Sequence, residues 1–290
     1  MVQDEGSERA GEGAASPVMP GAEGVVAPSE APAEARAEVA RVKRVDPWAH
    51  RRGEPRTFAA LWLVYLAGAA AVSLGAGGSL GLFSTDVYRA SARILLVIAG
   101  VGLGVLWPMV RLSQELPGRG IRSAWQDVVV VAMPLQAVAW PQALPWMAGW
   151  PLEVAGAVAA VYTAWAVLLG GVLAWCYALL RAGVVRGRAT LMAWVMVLVG
   201  AGPLLGVVAG REAEARGAPD ADVWLALSPV TGAWEMARDR TWTGFAARVV
   251  PAHWWAIGGV AGAGMCVWGA AWVSARRSRR GGVAGGEGAA

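Results

Sequence analysis

Charge is scarce in this chain. Only 16% of its 290 residues are Asp, Glu, Lys or Arg, against about 25% in an ordinary globular domain. A water-soluble fold of this size cannot cover its surface with so few charges, and the 56% of residues that are hydrophobic point to long stretches that never meet water. Lysine is nearly absent: Lys43 stands alone between Val42 and Arg44. A Gly-rich phosphate loop needs its lysine after a run of glycines, so the chain has no Walker site of its own for ATP.

Groups that hold metals or react as nucleophiles are equally sparse. The cysteines are Cys176 and Cys266, both inside apolar runs, which argues for small core residues rather than a disulfide framework or zinc ligands. The histidines, His50 and His253, lie far apart with no Cys or Asp cluster beside either, so neither a metal nor another cofactor is expected. No His-Glu-x-x-His motif, Glu-Glu pair or Asp-rich cluster occurs, and Ser73 and Thr163 are isolated hydroxyls expected to bond to their own helix backbone. These absences predict a chain that is not an enzyme. Ionisable side chains are also missing from the apolar interiors, where they would mark proton or ion paths. Asp127 and Glu153 stand only at the edges, Asp127 as a cap or as the partner of Arg122.

What is present is length without charge. Six runs meet or approach the roughly 20 apolar residues that span a bilayer: 58–75, 94–110, 128–147, 154–180, 191–210 and 254–275. The fold class is therefore all-α, a polytopic helical membrane protein. Arg111, Arg119 and Arg122 follow the second run, Arg181, Arg186 and Arg188 the fourth, and Arg276, Arg277, Arg279 and Arg280 the last. The positive-inside rule then places both termini in the cytoplasm, as in a bacterial cell membrane. The net charge of +4 comes from residues that border apolar runs and form no continuous stripe, so no nucleic-acid partner is expected.

The organisation follows. Residues 1–40 are acidic and rich in Ala, Pro and Gly, a composition that predicts a disordered tail; its start has no basic region before an apolar core, so no cleavable signal is expected there. Residues 41–56 reverse the sign, as an interfacial basic helix or a bare orientation signal. A six-span domain covers 57–275, with an outer segment at 211–253, and a basic then Gly-rich tail covers 276–290. The third run carries Pro134, Pro141 and Pro145 with Gln136 and Gln142, which predicts a bent helix packed among others or, alternatively, one lining a path. Gly100 and Gly104, Gly202, Gly206 and Gly210, and Gly258 and Gly262 recur at four-residue spacing, a pattern that lets helices approach closely. In the outer segment Trp242, Phe245, Ala246 and Val249 share one helical face, which suggests short helices dipping into the bilayer edge or a loop packed on the spans.

A basic stretch from Arg41 to Arg52, a cytoplasmic loop from Arg111 to Ala124, and Leu227-Ser228-Pro229 before the last span together resemble the permease subunits of ATP-binding-cassette exporters of the second export type. That resemblance covers residues 41–280. It implies a separate ATP-binding subunit docked on Arg111, Glu115, Arg119 and Arg122, a homodimer in membrane lipid, re-entrant helices around Ser228 and Pro229, and export of a hydrophobic or lipid-linked substrate. The alternatives are a membrane scaffold that transports nothing and, behind it, an intramembrane enzyme.

Overall fold

The computed structural model describes residues 55–78, 85–185, 187–215, 221–239 and 247–284. The acidic tail, the basic stretch at 41–52, Arg186, and Trp242, Phe245 and Ala246 of the outer stripe lie outside the described residues. Every regular element among those described is helical. In chain order they are α1 (Pro55–Gly78), α2 (Thr85–Val101), α3 (Trp107–Ser113), α4 (Gly120–Ala139), α5 (Leu152–Arg181), α6 (Arg188–Ala215), α7 (Thr231–Met236) and α8 (Pro251–Ala284).

Five stretches are long and apolar enough to cross a membrane: Arg56–Gly75, Val87–Ser113, Leu152–Arg181, Arg188–Val208 and Pro251–Arg276. The run at 128–147 is not among them. Its helix, α4, starts earlier, at Gly120, and gives way to a 3-10 turn, Trp140–Ala143, at Pro141. Proline at 141 has no N–H to continue the α ladder, whereas Pro134 is carried inside the helix.

The second run is longer than its sequence pattern suggested. α2 and α3 form one rod joined by a π turn, Gly102–Leu106. Pro108 cannot donate to the Gly104 carbonyl four residues back, and the ladder widens so that Trp107 N–H reaches the carbonyl of Gly102.

α5 is the centre of the bundle. Of its most apolar window, 78% is buried, against 28% for α1 and 22% for α8. Its neighbour α8 comes close because the contact is built from glycines. A Cβ on Gly264 would lie 3.0 Å from the Leu168 backbone, and one on Gly171 would lie 3.2 Å from the Gly264 carbonyl. The helix stops at Gly183, whose φ of 67° is the left-handed conformation that glycine adopts without penalty. As expected, Ser73 donates to the Ala69 carbonyl at 2.7 Å and Thr163 to the Ala159 carbonyl at 2.8 Å, each within its own helix. Both cysteines are free, Cys176 buried and Cys266 exposed.

The segment at 221–237 packs inside the helix bundle rather than over its end. A 3-10 turn, Ala221–Leu227, and α7 bracket Ser228 and Pro229, and this hairpin is wedged between α2 and α6. A Cβ on Gly100 would run into the Pro229 carbonyl, and one on Gly202 would lie 2.6 Å from the Leu227 carbonyl. Gly100 stands 13 residues after Val87 and Gly202 14 residues after Arg188, so both sit about 20 Å along their helices at 1.5 Å per residue. The tip therefore reaches mid-height of the bundle. Ser228 is fully buried there and its Oγ accepts from the Val230 N–H at 3.3 Å, while Thr231 donates to the Leu225 carbonyl at 2.7 Å. The repeated glycines thus divide: Gly100, Gly104, Gly202 and Gly206 admit this segment, whereas Gly258 and Gly262 have nothing within 4 Å of a built Cβ.

Candidate functional site

The arginines expected on the loop between the second and third runs do not act alike. Arg111 is 4% exposed and Asp127 fully buried, and the two form an ion pair across the turn from α3 to α4. The guanidinium also donates from Nη1 to Gln114 Oε1 at 2.7 Å, and its carbon lies 4.5 Å above the Phe58 ring. Two expectations are corrected by this. Arg111 is committed to the interior and cannot belong to a docking surface, and Asp127 pairs with Arg111 rather than with Arg122. Coulomb attraction in a low-dielectric setting favours whichever cation can be buried with the carboxylate, and Arg122 is exposed at the start of α4.

Glu115 and Arg119 are exposed on the 114–119 loop. That loop is held by two other arginines. Arg181 donates to the Pro117 carbonyl, and Arg188 Nη1 donates to the Gln114 carbonyl at 2.8 Å and to that of Ser113 at 3.3 Å. Arg181 ends α5 with a positive charge at its negative dipole end.

Beside this loop opens a cavity of about 790 Å³. Arg119 lines it from the 114–119 loop, Arg122 and Trp125 from α4, Arg181 from α5, and Trp268, Trp272 and Arg276 from α8. The Arg276 guanidinium lies 3.4 Å over the Trp272 ring centre, a cation–π contact. Trp125 meets Trp268 edge to face with centroids 5.4 Å apart, and Trp268 is fixed by donating to the Val167 carbonyl at 2.9 Å. A smaller cavity of about 210 Å³ adjoins it, lined by Arg111, Gln114, Glu115 and Ser123 and sharing Gly118 and Tyr177. Among the described residues, Glu115 is the one carboxylate lining either cavity.

The polar residues of the third run lie elsewhere. Gln136 donates to the Ala159 carbonyl at 3.1 Å and to Thr163 Oγ1 at 2.9 Å, and accepts from Trp140 Nε1 at 2.9 Å. It fastens α4 to α5 and lines neither cavity. Gln142 is buried in the 3-10 turn and donates to the Val138 carbonyl at 3.2 Å. Replacing Gln136 with leucine is expected to destabilise the α4–α5 contact by about 1 kcal/mol, within the range of interhelical hydrogen bonds in membranes. Unfolding of the purified protein in a graded SDS titration checks this. No change would mean that Gln136 is incidental to the packing.

Sequence reasoning treated Arg181 and Arg276 as orientation signals and missed the site they help form. Trp268, Trp272 and Arg276 follow one another at four-residue spacing, which puts them on one helix face, and that periodicity is the signal that could have revealed it.

No protein-family model matches the chain, and no solved structure matches it. Alpha-(1->6)-mannopyranosyltransferase A of Mycobacterium tuberculosis is 36% identical to it over 112 residues, which make up 38% of this chain and 20% of that protein. The relative is a sugar transferase. The chain matches about a fifth of its length. This finding overturns the exporter resemblance drawn from topology and the tripeptide Leu227-Ser228-Pro229, and with it the expectation of a permease subunit. It also overturns the expectation of a chain without enzymatic activity and lends no support to a non-transporting scaffold. The earlier inference failed because spans, loop charges and a re-entrant tripeptide describe how a chain sits in a bilayer, and different chemistries share that arrangement.

Proposed function

We propose that this chain is an integral membrane protein of glycosyl transfer, acting on a sugar held on a membrane amphiphile, with mannose as the first sugar to test. The likeness to a mannosyltransferase supports the reading, and we assign the paired cavities to it. They open where the helices end, so the substrate they suit has one end in the bilayer and one at its surface. The basic end faces the cytoplasm of a bacterial cell in this proposal, because the arginines gather there. α4 with its 3-10 turn makes a sixth crossing, and both termini are cytoplasmic.

In the proposed reaction an acceptor hydroxyl enters the smaller cavity beside Glu115. Its oxygen attacks the anomeric carbon, its proton passes to the Glu115 carboxylate, and the bond from that carbon to the carrier breaks with the electron pair leaving on the carrier. Arg119, Arg122 and Arg276 stabilise the negative charge that develops there. Arg111 and Asp127 position the loop that bears Glu115.

The test uses the full chain in lipid nanodiscs with membrane lipids carrying radiolabelled mannose and a soluble α-mannoside acceptor. Label should move to the acceptor, and Glu115→Gln should slow the transfer by about 100-fold or more, the usual contribution of a general base. Absence of transfer by the unaltered chain overturns the proposal; transfer undiminished in Glu115→Gln removes Glu115 from it.

A further inference from the structure

The rod formed by α2 and α3 touches the hairpin at mid-height and the inner loop at its end, with the π turn between. Before that turn it is fastened to its neighbours. Arg89 donates to the Ala148 carbonyl at 2.7 Å, Arg93 pairs with Asp239, and Tyr162 donates to the Leu96 carbonyl at 2.6 Å. Tyr65 of α1 donates to the Ile98 carbonyl at 2.7 Å, the oxygen that a regular ladder assigns to the Gly102 N–H. A Cβ on Gly102 would collide with Cε1 of that tyrosine. The phenol therefore enters the ladder at the residue where it widens, as inserted side chains do at helix irregularities. Beyond the turn, α3 is only 7 residues long and runs into the 114–119 loop, and its ion pair is Arg111 with Asp127.

The turn also leaves hydrogen-bonding capacity unused. Pro108 offers no N–H to the Gly104 carbonyl, and Trp107, fully buried, has an Nε1–H without an acceptor among the described residues. Buried polar groups left in this way are uncommon and act as reservoirs of strain. The hairpin tip meets the same turn: a Cβ on Gly104 would lie 3.3 Å from Pro229 Cγ and 2.8 Å from Val199 Cγ1. If the π turn gave up its extra residue and became regular α-helix, α3 would rotate by about 100°, one residue of a 3.6-residue turn. Leu103 or Val105 would then stand where Gly104 faces Pro229, and neither fits a place where a single added carbon is already tight. The same rotation carries Arg111 off Asp127. A docked hairpin thus favours the π form over the α form, which is the differential interaction that a two-state element requires.

We propose that the Gly102–Leu106 turn is a switch that couples the 221–237 hairpin to the loop bearing Glu115. With Pro229 seated on Gly100 and Gly104, the turn is π, Arg111 holds Asp127 and the 114–119 loop is set. With the hairpin withdrawn, the turn relaxes to α and the loop is released. Tyr65 pins the first state. By reciprocity, breaking the Arg111–Asp127 pair loosens the hairpin by the same factor. The coupling belongs to the helix rod and stands whatever reaction the cavities perform.

The experiment reads both ends of the rod in the full chain in lipid nanodiscs, with Cys176 and Cys266 replaced by alanine. Nitroxides on Gly118→Cys, where a Cβ meets nothing within 4 Å, and on Val184→Cys, an exposed position, report the loop by pulsed dipolar electron paramagnetic resonance. Ser228→Cys with a membrane-impermeant thiol reagent reports the hairpin. The unaltered rod should give one loop distance and a protected thiol. Gly100→Ala should raise the released state from about 1% to about 10% of molecules, the range of a populated minor state, seen as a second loop distance. Asp127→Asn should speed labelling at 228 by about tenfold, and Tyr65→Phe should move both readouts in the same direction. Gly171→Ala, which crowds α8 against α5 and leaves the rod alone, should move neither; if it moves both, the effect is general loosening and the proposal falls. It falls too if Gly100→Ala exposes the thiol but keeps one loop distance, or if Asp127→Asn frees the loop but leaves the thiol protected. Should Gly100→Ala fail to fold, Tyr65→Phe carries the comparison, and movement of one readout without the other overturns the coupling.

Discussion

Asp127→Ala will destabilise the protein by roughly 3–5 kcal/mol, the cost of leaving one partner of a buried ion pair uncompensated. Arg111 is 4% exposed and the Phe58 ring covers it, so its charge cannot turn out to water without dismantling the end of α3. The pair is not fully satisfied: Asp127 Oδ2 and Arg111 Nε have no hydrogen-bond partner. For that reason the double substitution of Arg111 by methionine and Asp127 by leucine should recover most of the loss, since it removes two desolvated charges rather than stranding one. An SDS-titration double-mutant cycle measures both numbers. If Asp127→Ala costs less than about 1 kcal/mol, the value usual for exposed pairs, the pair is solvated and its role in holding the 114–119 loop falls.

The second large effect concerns the hairpin at mid-height. Gly100→Ala and Gly202→Ala should each dislodge it, because the added carbon meets backbone rather than the end of a flexible side chain. Built Cβ atoms at these positions fall 2.9 Å from the Pro229 carbonyl carbon and 2.6 Å from the Leu227 oxygen. Overpacking of this kind costs about 1–3 kcal/mol, enough to raise the population of the undocked hairpin by about fivefold to more than a hundredfold. The readout is Ser228→Cys in a background lacking Cys176 and Cys266, probed with a membrane-impermeant thiol reagent. The introduced thiol should be protected with glycine at both positions and should react about tenfold faster with alanine at either. Gly258→Ala and Gly262→Ala, which meet nothing within 4 Å, should not alter the rate. Protection that survives both Gly100→Ala and Gly202→Ala would place the hairpin elsewhere.

The unequal fates of these glycines show how far a spacing pattern can be read. Four-residue repeats correctly marked Gly100, Gly104, Gly202 and Gly206 as places of close approach. The partner is not a helix but the irregular backbone at 225–230, and nothing in a periodicity names the partner. The glycines that do bring two helices together, Gly171 and Gly264, are not part of the repeats singled out. Asp127 is similar. Its nearest basic neighbour in sequence is Arg122, but its partner in space is Arg111, 16 residues away, because the loop at 114–119 folds α3 against α4.

Local chemistry was legible where one residue decides it. The loss of the α ladder at Pro141 and the self-bonding of Ser73 and Thr163 follow from the residues themselves. The function was not legible in this way. Loop charges and run lengths pointed to an exporter subunit, and the comparison with a mannosyltransferase corrects that.

By itself, then, the sequence determined the class of this protein: helical and built of long apolar runs. Hydropathy sums over neighbours along the chain, so it survives without knowledge of the fold. Tertiary structure alone decided that α5 is central, that Arg111 holds Asp127, that the 221–237 hairpin reaches mid-height, and that three helices and the 114–119 loop bring four arginines to one aromatic cavity. Each of those depends on helix crossings between residues far apart in sequence, and crossings are set by which side chains, or which missing side chains, let two backbones meet.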